Sequence, residues 1–453
     1  SIITMINLEE QYQAFVQALD SFDVNLIQDT SKHINPADIA TFTKRMNMPQ
    51  QVKLFQSLPN SAYVLEYLSL AEQVNIARHL ENQYLIKIIS EMHSDSRVDL
   101  MKALPLSLQK YIYNGLEPDK RAEIKSLEIY AEESAGAIMS SDFVTLPPEL
   151  TMQQAIDQLR HEASDSETLY LIYITNYLHQ LEGVISLRQI IQSAPEQVIS
   201  EVMNNQVITG LVDEDQEQIA KKLSHYDFIA LPIVDAENHL LGIVTYDDAM
   251  DILQQEFNED ALKGSAVESS PNISLKSAPI FSLYKKRVFW LVLLVFGSLL
   301  SGIGISHFED IIAAHIVLVF FLPLLVGSGG NAGSQSATLM VRAIATGDAH
   351  LKDWFYLLGR ESLVALCLGG TMAFAVSILG YIRGDEMVAL VLAISMMAIV
   401  LLGCLIGMSL PFILNKLGLD PASASAPLVT SICDATGVVV YLFVASQLLV
   451  SLA

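Results

Sequence analysis

The sequence is poor in the residues that mark disulfide-stabilised, zinc-binding or nucleic-acid-binding proteins. Its 453 residues include three Cys and ten His, and 26 Lys and Arg stand against 50 Asp and Glu, for a formal net charge of −24. All three cysteines fall in apolar stretches, so no disulfide framework is predicted. The lack of Cys and His clusters disfavours Zn²⁺, and so acidic a chain is poorly suited to bind nucleic acid.

Charged residues are also scarce and unevenly distributed. They make up 17% of the chain, whereas a soluble protein usually has about a quarter; the mean hydropathy is +0.39. Residues 1–270 hold 41 of the acidic and 17 of the basic residues, and residues 271–453 hold nine of each sign. The whole net charge therefore lies on the first part, and the apolar second part excludes a purely soluble enzyme.

The second part is predicted to be an all-α membrane domain with five transmembrane helices. A span needs roughly 20 apolar residues, and the candidate stretches are residues 288–306, 311–342, 363–382, 387–414 and 427–453. The second stretch is apolar only over 311–326. It continues into a Gly-Ser-Gly-Gly-Asn run at 327–331, which predicts an interrupted helix.

The charges that flank the spans predict the orientation. The basic residues before the first span, between the second and third, and between the fourth and fifth are Lys285, Lys286, Arg287, Arg342, Lys352, Arg360 and Lys416. The opposite loops are acid-rich. By the positive-inside rule, we expect a multi-pass protein of the cell (inner) membrane, with the N-terminal 284 residues in the cytoplasm and the C-terminus outside.

The acidic first part is predicted to hold two kinds of domain. Short helical patterns punctuated by Pro49, Pro59, Pro105 and Pro118 indicate an α-superhelical N-terminal domain. An internal repeat follows, because residues 174–191 align with residues 233–250 in a strand, glycine turn, strand, helix pattern. This repeat resembles the tandem cystathionine-β-synthase (CBS) pair, an α/β regulatory module that often binds adenine nucleotides.

The resemblance to CBS pairs gives candidate nucleotide-binding residues. Tyr170, Arg188, Phe228 and Pro232 match positions that often line the cleft of such modules, so ATP is a candidate ligand. Gln189 stands where a ribose-binding Asp is common. Ordinary packing at strand ends is the competing interpretation of all four residues.

Two polar constellations interrupt the apolar spans. Asn331, Gln335, Thr338 and Arg342 recur at helical spacing and share one helix face, which must meet a partner helix or water. Asp434 is the one acidic residue of the fifth stretch, and Thr430 lies one turn before it. A carboxylate at membrane depth costs on the order of 3 kcal/mol, which favours a role in binding an ion or proton. Interhelical hydrogen bonding and a salt bridge to another span are the structural alternatives.

The chain resembles the MgtE-type magnesium channels and transporters. The motifs that carry the resemblance are Gly329-Gly330-Asn331-Ala-Gly333-Ser-Gln335 with Thr338, the segment from Pro427 to Gly437 around Asp434, and Ser134-Ala-Gly136-Ala-Ile-Met139. The resemblance implies a homodimer whose pore lies between the second and fifth spans of the two subunits. It also implies that one Asp434 from each subunit flanks a central Mg²⁺, with Thr430, Asn331, Gly330, Gln335 and Thr338 nearby.

A second group of acidic residues is predicted to bind regulatory Mg²⁺ on the cytoplasmic side. Asp95 and Asp99 match the family's acidic positions in the N-terminal domain, and Gly136 belongs to the family-like segment at the domain join. The other members crowd the end of the second CBS domain and the following helix: Asp247, Asp248, Asp251, Glu256, Glu259 and Asp260. A solvated acidic face that serves solubility is the alternative.

The predicted order is an N domain at 1–132, CBS domains at 133–197 and 198–258, a linker or plug helix at 259–284 and a membrane domain at 285–453. We expect a Mg²⁺ channel that admits the ion down its electrochemical gradient and is closed by cytosolic Mg²⁺; Mn²⁺ and Co²⁺ are other candidate ions. The alternatives are an ion-coupled divalent cation carrier and a membrane-anchored nucleotide sensor. No phosphate loop, nucleophile motif or metal-hydrolase signature indicates an enzyme.

Overall fold

The computed structural model describes residues 8–21, 24–162, 168–267 and 279–450. The chain divides into two compact units, Ser1–Gln254 and Gln255–Ala453. Among the described residues, strands occur in the first unit alone, where they form two three-stranded sheets. The predicted fold class, helical domain, CBS pair and helical membrane domain, is confirmed.

Ten short helices build the start of the first unit. They are α1 Leu8–Asp20, α2 Val24–Ser31, α3 Pro36–Thr43, α4 Met48–Ser57, α5 Ser61–Glu66, α6 Leu70–Ala77, α7 Asn82–Glu91, α8 Ser94–Ala103, α9 Leu106–Gly115 and α10 Pro118–Leu127. Local signals set their starts: Asn47 and Gln50 form a capping box at α4, and Pro118 occupies the first turn of α10. The helices bury an apolar core that includes Phe15, Phe55 and Leu85.

The two sheets are nearly identical copies. The elements in order are α11 Ala135–Ile138, β1 Thr145–Leu146, α12 Met152–Glu162, β2 Leu171–Thr175, β3 Leu181–Ser186, α13 Leu187–Gln192, α14 Ile199–Val202, β4 Gly210–Leu211, α15 Gln216–Tyr226, β5 Ala230–Val234, β6 Leu240–Thr245 and α16 Tyr246–Gly264. In each sheet a parallel pair, β1 with β2 or β4 with β5, is followed by an antiparallel hairpin.

The repeat extends to the register and the turns. Gly183 pairs with Ile174 in the first sheet and Gly242 pairs with Ile233 in the second, and each register shifts immediately afterwards. The turns also bond to each other, because the Leu181 amide donates to the Asn238 carbonyl and the Leu240 amide donates to the His179 carbonyl. The two CBS repeats are therefore joined by reciprocal backbone bonds.

The helix predicted over 259–284 is not one helix. Its first residues are the end of α16, which stops at Gly264, and Ala266 then takes a left-handed conformation with φ of 55°. Residues 268–278 lie outside the described residues. The last part of the predicted linker belongs to the next helix, which begins at Ile280 after Pro279. Pro279 is the N-cap residue of this helix, where the missing N–H of proline removes no hydrogen bond of the helix.

The second unit holds five described helices that are long and apolar enough to cross a membrane. They are α17 Ile280–His307, α19 Val317–Ala345, α20 Trp354–Arg383, α21 Glu386–Lys416 and α22 Ala426–Val450, with the short α18 Glu309–Ala314 before α19. Helices α17, α20 and α21 are each longer than the predicted apolar stretch, and the last three residues predicted for the fifth span lie outside the described residues. Helix α19 packs against α21 and α22, and α20 packs against α21.

The interruption predicted for the second span lies elsewhere. Helix α19 runs without a break through Gly327 and Asn331, and the chain instead leaves helical geometry at His315, between α18 and α19. The glycines of α19 serve close packing: a Cβ on Gly333 would lie 2.8 Å from the Gly403 carbonyl oxygen of α21. Small residues in the two helices permit this approach without unwinding either backbone.

Candidate functional site

The predicted ion site of the second unit forms where α19 meets α22. Asp434 and Thr430 lie one turn apart on α22 and both face Gly330 of α19. A Cβ on Gly330 would lie 2.9 Å from Thr430 Cγ2 and 3.3 Å from Asp434 Oδ1. Glycine at position 330 therefore leaves the space into which the carboxylate and the threonine project.

The Asp434 carboxylate has unused capacity to bind a cation. Its Oδ1 atom is buried and accepts no hydrogen bond from the residues that the structure describes. No ion pair to Asp434 occurs within the described ranges of the single chain either. A buried carboxylate oxygen without a donor is costly unless a cation or a proton satisfies it. The site has the hard oxygen chemistry that Mg²⁺ prefers.

Ser334 completes this site and was missed by sequence reasoning. Its Oγ lies 3.1 Å from Thr430 Oγ1 and donates to the Ala426 carbonyl at 3.3 Å. These contacts tie the middle of α19 to the first turns of α22. The signal was available, because Ser334 lies three residues after Asn331 on a helix whose polar face was already recognised.

The other predicted pore residues occupy a different face of α19. Asn331, Gln335 and Thr338 are exposed, and the Thr338 hydroxyl bonds back to the Ser334 carbonyl of its own helix. Within one chain they do not converge on Asp434, whereas Gly330, Thr430 and Asp434 do. The predicted common face is present, and among the described residues of the single chain it is exposed.

The predicted regulatory site of the first unit is a cluster of carboxylates at the end of the second CBS repeat. Burial and the nearby charge of Asp95 raise the pKa of Asp248 to about 7, with smaller contributions from Asp247 and Asp251. The Thr245 hydroxyl lies 2.6 Å from Asp248 and 2.5 Å from Asp247, and it can donate to one of them at a time. The structure thus brings together four of the predicted acidic residues.

The crowding of this cluster fits a divalent cation. Four carboxylates from α8 and α16 repel one another when ionised, and this repulsion raises the pKa of Asp251 as well, after the effect of burial. An ion of charge +2 bound among them would relieve the repulsion and favour their ionised forms. The acidic residues of this cluster are therefore suitable ligands for Mg²⁺.

The remaining predicted regulatory residues are placed differently. Asp99 is influenced by Lys102 and Glu132 rather than by Asp248, and burial raises its pKa. Gly136 is tightly packed, since a Cβ there would lie 2.5 Å from the Tyr130 ring, and its amide donates to the Val212 carbonyl. Glu256, Glu259 and Asp260 lie on the part of α16 that belongs to the second unit.

One of these carboxylates already has a cationic partner. Lys263 Nζ lies 2.6 Å from Glu259 and 2.7 Å from Asp420, which is in the loop between α21 and α22. Both carboxylates raise the pKa of Lys263, so the lysine stays charged. Sequence reasoning missed this bridge because Lys263 and Asp420 are 157 residues apart.

The candidate nucleotide residues fall into two places. Tyr170 and Arg188 are exposed neighbours, because the Leu187 amide donates to the Tyr170 carbonyl. Phe228 stacks on Tyr226 with ring centroids 5.4 Å apart, and Pro232 is buried within β5. Among the described residues, no hydrogen bond or ring contact joins Tyr170 or Arg188 to Phe228 or Pro232.

The Gln189 side chain is engaged in hydrogen bonds with a neighbouring residue. It accepts hydrogen bonds from the Ser186 amide and hydroxyl in a capping box at the start of α13. The position that often binds ribose in CBS modules is thus occupied by a helix cap in this chain.

Comparison with known proteins identifies relatives along the whole chain. A family model described as a divalent cation transporter, MgtE, matches residues 322–444, one for the MgtE intracellular N domain matches residues 34–133, and the CBS domain model matches residues 135–196 and 199–255. The magnesium transporter MgtE of Thermus thermophilus is 35% identical over 449 residues, which cover 98% of this chain and 99% of that protein. That of Bacillus subtilis is 30% identical, over 88% of this chain and 91% of the relative.

Solved structures give the same picture for the first unit. The soluble part of a magnesium transporter is similar with a TM-score of 0.53 and 30% identity, covering 55% of this chain and 99% of the other. The cytosolic domain of the Mg²⁺ channel MgtE in complex with ATP is similar with a TM-score of 0.51 and 32% identity, covering 53% and 99%.

Proposed function

Because the chain belongs to the MgtE family of divalent cation transporters, we propose that it is a channel that admits Mg²⁺ through the cell membrane down its electrochemical gradient. The observation that carries this proposal is the buried Asp434 Oδ1 atom, which faces Gly330 and has no donor within the described ranges. Its relatives are named as transporters, so the proposed activity is transport rather than catalysis.

The chemistry of the site is suited to an ion that keeps much of its water. Mg²⁺ gives up water reluctantly and is usually held through one or two carboxylates. Asp434 supplies one carboxylate per chain, and the Thr430 and Ser334 hydroxyls lie close together beside it. A site with one strong ligand per chain also lets the ion leave, as conduction requires.

The exposed face of α19 supports a pore formed by two copies of the chain. Asn331, Gln335 and Thr338 are polar, belong to a helix long and apolar enough to span a membrane, and are exposed in the single chain. Polar groups cannot be left facing lipid at low cost, so a second copy would cover them and bring a second Asp434 to the same axis. In the proposed orientation the first unit lies in the cytoplasm and α22 ends outside.

Regulation is proposed to act through the carboxylate cluster of the first unit. Asp95 belongs to the N-terminal helical domain and Asp248 to the second CBS repeat, so a cation held by both would favour the arrangement in which the two domains are close. When cytosolic Mg²⁺ is scarce, repulsion between the carboxylates would favour separation. Mg²⁺ would therefore close the pore when it is already plentiful.

The end of α16 offers a route from regulation to the pore. Lys263 joins Glu259 of α16 to Asp420, and Asp420 also accepts a hydrogen bond from the Ala422 amide just before α22. Helix α22 carries Thr430 and Asp434. A displacement of α16 would therefore act on the helix that holds the ion.

ATP is proposed as a second cytoplasmic ligand, on the ground of the related cytosolic domain in complex with ATP. Tyr170 and Arg188 offer an exposed aromatic ring and a cation, which suit a base and a phosphate. Gln189 is engaged with Ser186 and is not available to ribose in this arrangement. Binding of radiolabelled ATP to the full chain, with Arg188→Ala for comparison, tests this site.

The test of transport is Mg²⁺ uptake by proteoliposomes that contain the full chain and an internal Mg²⁺-sensitive dye. A potassium diffusion potential, negative inside, should accelerate uptake, and uptake should continue when proton and sodium gradients are abolished. Dependence on one of those gradients would instead identify an ion-coupled carrier. Absence of any flux would favour a membrane-anchored nucleotide sensor. Rescue of a magnesium-dependent bacterial strain, with Asp434→Ala as control, provides the cellular counterpart.

A further inference from the structure

A second carboxylate lies within the apolar helices and takes no part in the site described above. Glu361 is half-buried in α20, and its Oε1 atom lies 2.5 Å from the Ser336 hydroxyl of α19. The hydroxyl also lies 3.1 Å from the Ala332 carbonyl of its own helix, so the carboxylate is the closer of its two acceptors. Ser336 is 2% exposed, and the buried Cys404 thiol of α21 lies beside both side chains. Three helices therefore contribute one polar group each to the same place.

Neither a salt bridge nor ordinary packing explains Glu361. Within the described part of the chain no Lys, Arg or His forms an ion pair with it. Glu361 lies two residues before the apolar stretch of α20, and a half-buried carboxylate between helices is unfavourable unless it is hydrogen-bonded. An apolar side chain would fill the same space between helices without that cost.

The position of Ser336 on α19 links this hydrogen bond to the direction of the polar face of the helix. Ser336 lies on the buried face of this helix with Gly329, Gly333 and Met340, whereas Asn331 and Gln335 lie on the exposed face. At 100° per residue, Ser336 is separated by roughly 100° from Gln335 and roughly 140° from Asn331 around the helix axis. Fixing Ser336 against α20 thus fixes the direction of the polar face.

The hydrogen bond also joins two helices that both pack on a third. Helices α19 and α20 both pack on α21. The bond from Ser336 to Glu361 is the one side-chain hydrogen bond between α19 and α20 among the described residues. On the α22 side, Ser334 bonds to Thr430 and the Tyr441 hydroxyl donates to the Leu318 carbonyl. Helix α19 is therefore held against rotation from both sides.

We propose that Glu361 is a positioning residue of the transport pathway. Through Ser336 it sets the rotation of α19 about its own axis, and thereby the direction in which Asn331 and Gln335 point. This inference rests on the proposed function, because those side chains belong to the proposed pore. Glu361 itself does not touch the ion; its carboxylate serves as the acceptor that holds Ser336.

The experiment compares the full-length chain with Ser336→Ala, Glu361→Ala, Glu361→Gln and the double variant Ser336→Ala/Glu361→Ala in proteoliposomes. Initial Mg²⁺ uptake over a range of Mg²⁺ concentrations gives the half-saturating concentration and the maximal rate separately. Glu386→Gln, an exposed glutamate in the first turn of α21, is the matched control. Thermal unfolding in detergent monitors folding.

Ser336→Ala and Glu361→Ala should each raise the half-saturating Mg²⁺ concentration by roughly tenfold, the scale of a lost hydrogen bond to a charged group. The double variant should be no worse than Glu361→Ala, because both substitutions remove the same bond. Glu361→Gln should stay within about twofold of the unaltered chain, since an amide oxygen still accepts from Ser336. If Glu361→Ala does not fold, Ser336→Ala, which suits a helix interior, carries the test.

Two results would overturn the inference while leaving transport itself intact. The first is a normal half-saturating concentration in Ser336→Ala and Glu361→Ala with only the maximal rate reduced, which is the signature of less active protein. The second is a Glu361→Gln variant as impaired as Glu361→Ala. It would mean that the negative charge of Glu361, rather than its hydrogen bond to Ser336, affects transport. Absence of uptake by the unaltered chain would overturn both this inference and the proposed function.

Discussion

The two units arrange their carboxylates in opposite ways. In the first unit, which carries most of the net negative charge, Asp248 is crowded by Asp95, Asp247 and Asp251. In the second unit Asp434 is the one acidic residue of its apolar helix. Its Oδ1 atom is buried and accepts no hydrogen bond from the described residues. Crowded carboxylates favour strong binding of a cation and a change of arrangement when it binds. A solitary carboxylate can contact a passing cation and release it.

The largest effect that would sharpen this comparison is expected at Asp434. Asp434→Asn and Asp434→Ala should reduce Mg²⁺ uptake by about a hundredfold or more, because the only buried carboxylate facing Gly330 in the described residues is lost. Folding should not suffer, since burying that charge was unfavourable. Uptake by proteoliposomes and size-exclusion chromatography measure the two properties.

The matched control is Asp310→Asn, a change of the same kind at an exposed position in the first turn of α18. It should transport like the unaltered chain. Full uptake by Asp434→Asn would show that the solitary carboxylate does not serve the pathway.

A somewhat smaller effect is expected when the crowded carboxylates are removed altogether. A chain that lacks residues 1–258 and keeps the remainder should require at least roughly tenfold more internal Mg²⁺ for inhibition, because the clustered ligands for a Mg²⁺ site in the low-millimolar range lie in the deleted part. Patch-clamp recording or liposome flux over a series of internal Mg²⁺ concentrations measures the inhibition. Unchanged inhibition would place the sensor in the membrane helices.

Protease resistance should report Mg²⁺ binding to the cluster directly. Millimolar Mg²⁺ should slow cleavage within residues 1–270 severalfold, because an ion that binds only the compact form stabilises it by mass action. Neutralising Asp248, Asp251 and Glu259 together should weaken this protection, whereas Asp157→Asn, on the exposed side of α12, should not. Identical cleavage patterns with and without Mg²⁺ would exclude a Mg²⁺-binding role for the cluster.

The pH dependence of stability should report the crowding of carboxylates in the first unit. Burial and the charge of Asp95 raise the pKa of Asp248 to about 7, above the usual value of 3.8. A carboxyl group with a raised pKa stabilises the fold fully below about pH 4, and this stabilisation is lost as the pH rises towards 7. Without Mg²⁺, the unfolding temperature of the first unit should therefore fall by a few degrees between pH 5 and pH 8, on the order expected for about 1 kcal/mol.

Mg²⁺ at pH 8 should restore most of the lost unfolding temperature, because it binds the ionised carboxylates. The variant Asp248→Asn should show a shallower pH dependence with a smaller response to Mg²⁺. Calorimetry of the full chain in detergent measures both. The same pH slope in Asp248→Asn as in the unaltered chain would mean that other groups control the titration.

The smallest effect is expected at the bridge from α16 to the loop before α22. Lys263, Glu259 and Asp420 are all about one third exposed, and such pairs contribute about 1 kcal/mol or less. Asp420→Lys should shift the internal Mg²⁺ concentration for half-inhibition by about twofold to fivefold, and the charge exchange Lys263→Asp with Asp420→Lys should restore it. If the exchange does not restore the Mg²⁺ concentration for half-inhibition, the bridge is a surface contact without a role in inhibition.

The parts of the structure that follow from local pattern were predictable. The offset of 59 residues between the repeats predicted two copies of one hairpin, and the structure aligns Gly183 with Gly242 in matching register. Apolar length predicted five spans. Periodicity also placed Asn331, Gln335 and Thr338 on a common face, although periodicity does not tell which neighbour covers that face.

The parts that depend on contacts between distant residues were not predictable. The glycines at 327–330 favoured an interruption on sequence grounds, but the helix stays intact, and Gly329 instead packs directly on Gly403 of α21. Glu361 lay just before the apolar stretch of its helix, and only the fold shows that Ser336 meets it. The same holds for Lys263 and Asp420.

The glycine contact between α19 and α21 limits how this protein can move. A Cβ on Gly403 or Gly407 would collide with the backbone of Gly329 or Gly333, so at these points the two main chains touch directly. Side chains can exchange rotamers to absorb a shift between helices, but two touching backbones cannot. Sliding of α19 along α21, or closer approach of the two helices, is therefore restricted at these two contacts. We expect any widening of a passage beside Asp434 to come from α22 tilting or sliding relative to that pair.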